Sequence, residues 1–224
     1  VAFGKSVTYL ATLPQSSAAV MASSSTSSAR DSFTMRTPVF ILEKASALCQ
    51  SDGAFYAAVP SGRGGRSSVW TSSDKGEHWR NLTPEGLPPF EIFGISAGSG
   101  FVYLATRDDA QGGIWRGDAA GTWKRIRADR FARSVAVNPA VPGHVYATFG
   151  DHPYHDGAIG SGVAESGDGG ETWQAANDAT LTCLNVNCVA PDPFCRSAVW
   201  VGTSGNSVFY GTRSAPGDEK GKSR

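Results

Sequence analysis

Late in this 224-residue chain one short stretch reads Ser166-Gly167-Asp168-Gly169-Gly170-Glu171-Thr172-Trp173. An aspartate in a tight turn can accept backbone N–H bonds, a glycine tolerates positive φ, and a tryptophan can pack between strands. The stretch therefore predicts a compact turn between two β-strands, in which the aspartate and the tryptophan have structural roles.

The same pattern occurs twice earlier in the chain. One copy reads Ser72-Ser73-Asp74-Lys75-Gly76-Glu77-His78-Trp79, and a degenerate copy reads Arg116-Gly117-Asp118-Ala119-Ala120-Gly121-Thr122-Trp123. We term these three segments the aspartate turns. A motif that recurs in a repeat usually reports the fold and not a ligand. We therefore expect structural roles for their shared residues, namely Ser72, Asp74, Gly76, Trp79, Asp118, Trp123, Ser166, Asp168, Gly170 and Trp173.

A longer repeat contains these turns. Its aromatic anchors are Tyr9, Tyr56, Tyr103, Tyr146 and Trp200, separated by 47, 47, 43 and 54 residues. A second apolar pair follows each anchor, and apolar residues alternate with small or polar ones around both, which indicates strands. Four short strands in each repeat of roughly 45 residues are typical of a propeller blade.

The predicted fold class is therefore all-β, a β-propeller of four-stranded blades. The units are expected at about 1–45, 46–90, 91–130, 131–180 and 181–213, before a polar tail at 214–224. About five units are visible, which leaves open a five-bladed ring or part of a six- to eight-bladed propeller.

With these residues in view, the chain resembles the Asp-box, or BNR-repeat, β-propeller superfamily. That superfamily includes sialidases, xyloglucanase-type glycoside hydrolases, sortilin-type receptors and Ycf48-type photosystem assembly factors. The resemblance implies the fold far better than the function. Sialidases carry an Arg-Ile-Pro motif, whose nearest counterpart here is Lys124-Arg125-Ile126-Arg127 after an aspartate turn, so sialidase activity is not expected. Xyloglucanase-type enzymes use two aspartates as general acid and base, and this option stays open.

The resemblance also implies where a ligand binds. In a four-stranded blade the second-to-third connections emerge opposite the aspartate turns, and in this superfamily that face usually binds. The candidate ligand residues on these connections are Arg63, Arg66, Arg107, His152, Tyr154 and His155. A hydrolase would take its acid and base from Asp108, Asp109, Asp151 and Asp156. The alternative is a solvated polar loop. No metal is expected, since the two histidines lie three apart on a presumed loop with no helix to align them.

Composition narrows the choice of partners. Twenty Lys and Arg balance twenty Asp and Glu, so no global field attracts nucleic acid. The basic residues Lys124, Arg125, Arg127, Arg130 and Arg133 predict either a solvated outer strand or a docking patch for an acidic partner. No apolar run approaches the length of a transmembrane helix.

The cysteines leave two alternatives. Cys183, Cys188 and Cys195 fall within thirteen residues, which permits one disulfide in an oxidising compartment or free thiols. The chain begins at Val1 without an initiator Met, so either a signal peptide has been removed or the sequence is a fragment.

These observations favour a non-catalytic extracytoplasmic propeller, periplasmic or secreted, that needs no cofactor. It would act as a scaffold or assembly subunit and bind a protein partner. The alternative is a secreted glycoside hydrolase or carbohydrate-binding propeller. Exposed aromatics beside paired carboxylates would favour the carbohydrate-binding alternative, and a flat apolar patch would favour binding of a protein partner.

Overall fold

The computed structural model describes residues 45–59, 67–83, 91–150 and 160–213. They form fifteen β-strands. None of these residues lies in a helix that could span a membrane. Nearly all of the predicted first unit and the polar tail lie outside the described residues.

The strands form four antiparallel sheets in chain order. The first contains β1 (Ala47–Ser51), β2 (Ala54–Val59), β3 (Ser68–Ser72) and β4 (Arg80–Asn81). The second contains β5 (Glu91–Gly98), β6 (Phe101–Arg107), β7 (Gly113–Asp118) and β8 (Trp123–Ala128). The third contains β9 (Ala132–Val137), β10 (Val145–Phe149), β11 (Gly162–Ser166) and β12 (Gln174–Ala175). The fourth contains β13 (Val186–Pro191), β14 (Ala198–Thr203) and β15 (Val208–Thr212).

The sheets are arranged radially. The first strand of each sheet lies against the first strand of the next, so that β1, β5, β9 and β13 are successive neighbours. The last strands β4 and β12 are exposed at the outside. This arrangement is that of propeller blades around an axis.

Apolar side chains fill the spaces between the sheets, because strand alternation sends consecutive residues to opposite faces. One buried cluster joins the first and second sheets and contains Val69 and Ile95. A second cluster joins the second and third sheets and contains Ile114 and Val145. A third contains Val163 and Val201 and joins the third and fourth sheets. The core is therefore a series of layers between sheets.

Candidate functional site

The aspartate turns lie at one end of the sheets, between the third and fourth strands. The β6–β7 connection, at 108–112, lies at the opposite end, where β8 ends and β9 begins. We term this opposite end, with residues 107–112, 125–133 and 160–161, the loop face. Arg107, Asp108 and Asp109, which the sequence singles out, lie on it.

The aspartate turn at 166–173 is held together by its own hydrogen bonds. Asp168 Oδ1 accepts the Thr172 N–H at 2.9 Å and the Ser166 hydroxyl at 2.7 Å. The Ser166 hydroxyl oxygen accepts the Gly170 N–H at 2.8 Å, and Gly170 has φ +94°. Trp173 Nε1 donates to the Gly170 carbonyl at 3.0 Å. The hydroxyl and N–H of Thr172 hold the pKa of Asp168 well below its usual range, so this carboxylate anchors the turn.

The other two aspartate turns differ from this one in sequence, and their hydrogen bonds differ accordingly. At 72–79, where His78 replaces threonine, both its N–H and its Nδ1 contact Asp74, at 2.9 and 2.6 Å. The His78 N–H is the main reason that the pKa of Asp74 is lowered. In the degenerate copy Asp118 accepts the Thr122 N–H at 2.9 Å. There Trp123 Nε1 donates to Leu82 of the preceding sheet.

The two described carboxylates of the expected acid–base set are already engaged. Asp108 Oδ1 accepts the N–H groups of Ala110 and Gln111 at 2.9 and 2.7 Å, which closes its own turn. Asp109 Oδ1 accepts Arg130 Nη2 at 3.0 Å. Both groups therefore shape the loop face.

Two arginines of the loop face form cation–π contacts with Phe131. The guanidinium groups of Arg107 and Arg130 lie 5.8 and 5.2 Å from the ring centre of Phe131, which is buried. Arg125 Nη1 donates to the Ala110 carbonyl at 2.9 Å. The Arg107 and Arg130 side chains remain 36% and 49% exposed. The loop face thus presents positioned, partly exposed guanidinium groups.

The basic run does not form one solvated patch. The Arg127 guanidinium lies 4.6 Å from the ring centre of Phe149 on β10 and 5.8 Å from that of Trp173, which immediately precedes β12. Burial lowers the pKa of Arg127. Arg133 lies on the first strand of the third sheet, 5.4 Å from the ring centre of Phe93. The expected solvated strand is therefore wrong for Arg127, because this side chain packs between two sheets.

Comparison with known proteins gives distant similarities, and no protein-family model matches the chain. The chain is 24% identical over 148 residues to a xyloglucanase from Paenibacillus sp, an alignment that covers 63% of this chain and 14% of that protein. The GH74 xyloglucanase from Xanthomonas campestris has a TM-score of 0.54 at 22% identity, over 70% of this chain and 25% of the other. A chain of a nidogen/laminin complex has a TM-score of 0.52 at 14% identity, over 71% of this chain and 56% of the other.

The similarity is one of fold. It is that of a β-propeller, with blade number and ring closure left open. The chain spans about a seventh of the length of its curated relative.

The remaining candidate residues belong to two short stretches of the sequence, 60–66 and 151–159. Arg63, Arg66, Asp151, His152, Tyr154, His155 and Asp156 lie outside the described residues. Among the described residues, no group of His, Cys, Asp and Glu could hold a metal ion.

All four cysteines are free thiols in this structure. Cys183 precedes β13 and lies near the Ser204 carbonyl, whereas Cys195 follows the strand and contacts Ser197. Cys188 lies within the strand. The three candidate disulfide partners are thus spread along β13.

A polar network centred on the buried Glu165 joins the third and fourth sheets, and no sequence motif predicted it. Glu165 Oε2 lies 3.1 Å from His144 Nε2, and Glu165 Oε1 accepts Gln174 Nε2 at 2.6 Å and Arg213 Nη2 at 3.0 Å. A cavity of about 330 Å³ borders Glu165, Trp173 and Gln174. Three side chains, His144, Gln174 and Arg213, already contact the carboxylate, so it serves to join the sheets.

Proposed function

We propose that this chain is a non-catalytic propeller located outside the cytoplasm that binds a protein partner through its loop face, as a scaffold or assembly subunit. One observation carries the proposal. Arg107 and Arg130 are held over Phe131 and partly exposed, Asp108 closes its own turn, and Asp109 forms an exposed pair with Arg130. Arginine is enriched among the residues that contribute most to binding at protein interfaces. The location outside the cytoplasm rests on the resemblance alone.

The chemistry of this face fits an acidic segment of the partner. A guanidinium fork can bind a carboxylate through two parallel hydrogen bonds. The existing pairs Arg107–Glu91 at 3.7 Å and Arg130–Asp109 at 3.0 Å are exposed. Exposed pairs contribute little stability, so exchanging their acids for a partner's carboxylates costs little. Since the chain is neutral overall, the electrostatic attraction of an acidic partner would come from the arginines of the loop face and not from the net charge.

A glycoside hydrolase or carbohydrate-binding propeller is the second candidate. It is favoured by the similarity to xyloglucanases from Paenibacillus and Xanthomonas. An acid–base pair must have two carboxylates available on either side of the glycosidic bond. Because Asp108 and Asp109 are engaged, this chemistry would depend on Asp151 and Asp156.

The test compares variants recovered from the native source. The double variant Arg107→Ala, Arg130→Ala should bind the partner with roughly thirtyfold lower affinity, equivalent to about 2 kcal/mol of binding free energy, and should recover correspondingly less of it. Arg80→Ala is the matched control, because Arg80 is also exposed but lies on the outer strand β4. Equal recovery of the partner by the double variant and the control would contradict the proposal.

A parallel assay measures xyloglucan hydrolysis by the wild-type chain. We expect no release of reducing sugar above background. Activity that is lost when Asp151 or Asp156 is changed to Asn would instead establish the second candidate.

A further inference from the structure

The aromatic anchors of the repeat point in one direction around the radial array of sheets. Tyr56 on the first sheet packs in the cluster shared with the second, and Tyr103 on the second packs in the cluster shared with the third. Tyr146 on the third sheet packs in the cluster shared with the fourth. Each anchor thus faces the sheet that follows its own.

Trp200 is the anchor of the fourth sheet, and it faces outward. It pairs across the strands with Tyr210 and Ala190, which places the three side chains on one face. Trp200 and Tyr210 are 45% and 48% exposed, and Val208 on the same face is 62% exposed. The opposite face, with Val189 and Val201, is buried against the third sheet. By the rule that the other anchors follow, the exposed face is where a further sheet packs.

We propose that residues 1–44 of this chain form that further sheet and pack on the exposed face of the fourth sheet. This inference is independent of the proposed function. The other stretches outside the described residues, 60–66, 84–90, 151–159 and 214–224, are all too short for a sheet of several strands. Residues 1–44 have the length of one repeat and contain its pattern, Thr8-Tyr9-Leu10-Ala11-Thr12 followed by Val20-Met21.

The repeat also identifies the residue that makes the contact. The residue after the anchor faces the preceding sheet, as Leu104 does in the first cluster and Ala147 in the second. Leu10 occupies this position in the first repeat, so it would face Trp200. Ala57 is the corresponding residue of the first described sheet, and it is fully buried although it belongs to none of the three described clusters. Its burial is consistent with a covering sheet on that side.

Cys188 reports on this contact without any mutation. It is exposed and pairs with Gly202, so its thiol lies on the same face as Trp200. The experiment treats the full 224-residue chain with iodoacetamide and follows each cysteine by peptide mass spectrometry. We expect Cys188 to react at least about tenfold more slowly than in the urea-denatured chain, as a covered site should. Cys49, which is partly buried and packs against the first cluster, must stay protected as the control for folding. A Cys188 that reacts at the denatured rate while Cys49 is protected would overturn the proposal.

A variant separates this segment from other occupants of the face. Leu10→Ser should restore fast alkylation of Cys188 while Cys49 stays protected, and Ser24→Ala in the polar run at 23–28 should change neither rate. An unchanged Cys188 rate in Leu10→Ser would overturn the proposal. Protection that disappears on dilution would also overturn it, by showing that a second copy covers the face.

Discussion

At the scale of single residues, the aspartates of these turns accept hydrogen bonds from residues no more than four positions away. Asp168, Thr172 and Ser166 satisfy one another's polar groups, and the same set could be read directly from the sequence because all of its members are local. A local motif needs no knowledge of tertiary packing.

The pH dependence of Asp168 provides a first prediction. Its folded-state pKa is lowered, mainly by the Thr172 hydroxyl and N–H, so the carboxylate contributes stability above its unfolded pKa of about 3.9 and loses it as the pH falls below that value. Asp168→Asn should lower Tm by a few degrees at pH 7. The difference from wild type should shrink as thermal melts are repeated at pH values falling below about 4.

The control is Asp118→Asn in the degenerate turn, where the described bond to the carboxylate is from the Thr122 N–H. Its loss in Tm at pH 7 should be the smaller of the two. A loss as large as that of Asp168→Asn would show that the extra hydroxyl contacts contribute nothing.

Gly170 provides a second prediction. Comparing alanine variants of Gly170 and Gly205 distinguishes the cost of backbone strain from the cost of steric crowding. Gly170 and Gly205 have φ values of +94° and +93°, but a Cβ on Gly170 would collide with Ile126 Cδ1, whereas one on Gly205 would meet open space. Gly205→Ala should cost about 1 kcal/mol of unfolding free energy. Gly170→Ala should cost about 1–3 kcal/mol more, because Ile126 must move. Urea unfolding measures both, and equal losses would contradict the crowding argument.

At the scale of elements, one side chain joins two neighbouring sheets. Arg116 on β7 donates to the Gly169 carbonyl at 2.8 Å and to Glu171 at 2.6 Å, and its guanidinium lies 4.5 Å from the ring centre of Phe101. Tyr103 donates to the same carbonyl at 3.2 Å. The aspartate turn of the third sheet is therefore fixed to the second sheet.

Removing this contact is the third prediction. Arg116→Met keeps the apolar stem but removes the charged hydrogen bonds of a side chain that is 15% exposed, so it should lower the free energy of unfolding by about 1.5–3 kcal/mol. Chemical denaturation of the purified variant measures this loss. Glu91→Gln, which removes an exposed partner of Arg107, should change stability by less than about 1 kcal/mol. A loss for Arg116→Met no larger than that control would show that the sheets are held by apolar packing alone.

At the same scale, sequence patterns predicted strands and their alternation but not which surfaces meet. Arg127 was expected in solvent, yet its position is decided by Phe149 and Trp173, which are distant in the sequence. The pairing of Asp109 with Arg130 also joins separate loops. The repeat predicted the position of Trp200 in its strand, but its exposure depends on what packs against the fourth sheet.

At the scale of the whole molecule, the propeller fold could be predicted because the same pattern of strands and turns recurs in successive units of the sequence. The function could not be predicted in the same way. The loop face depends on contacts between sheets. In its described part Asp108 closes its own turn, Asp109 pairs with Arg130, and the side chains of Arg107 and Arg130 remain partly exposed. This division of roles is the physical basis for proposing a partner-binding protein.

Native mass spectrometry of the protein purified from its source under mild conditions tests that proposal most directly. The account predicts a stoichiometric complex with a second protein whose sequence contains an acidic segment. Recovery of the chain free of any partner, together with hydrolysis of xyloglucan, would contradict it.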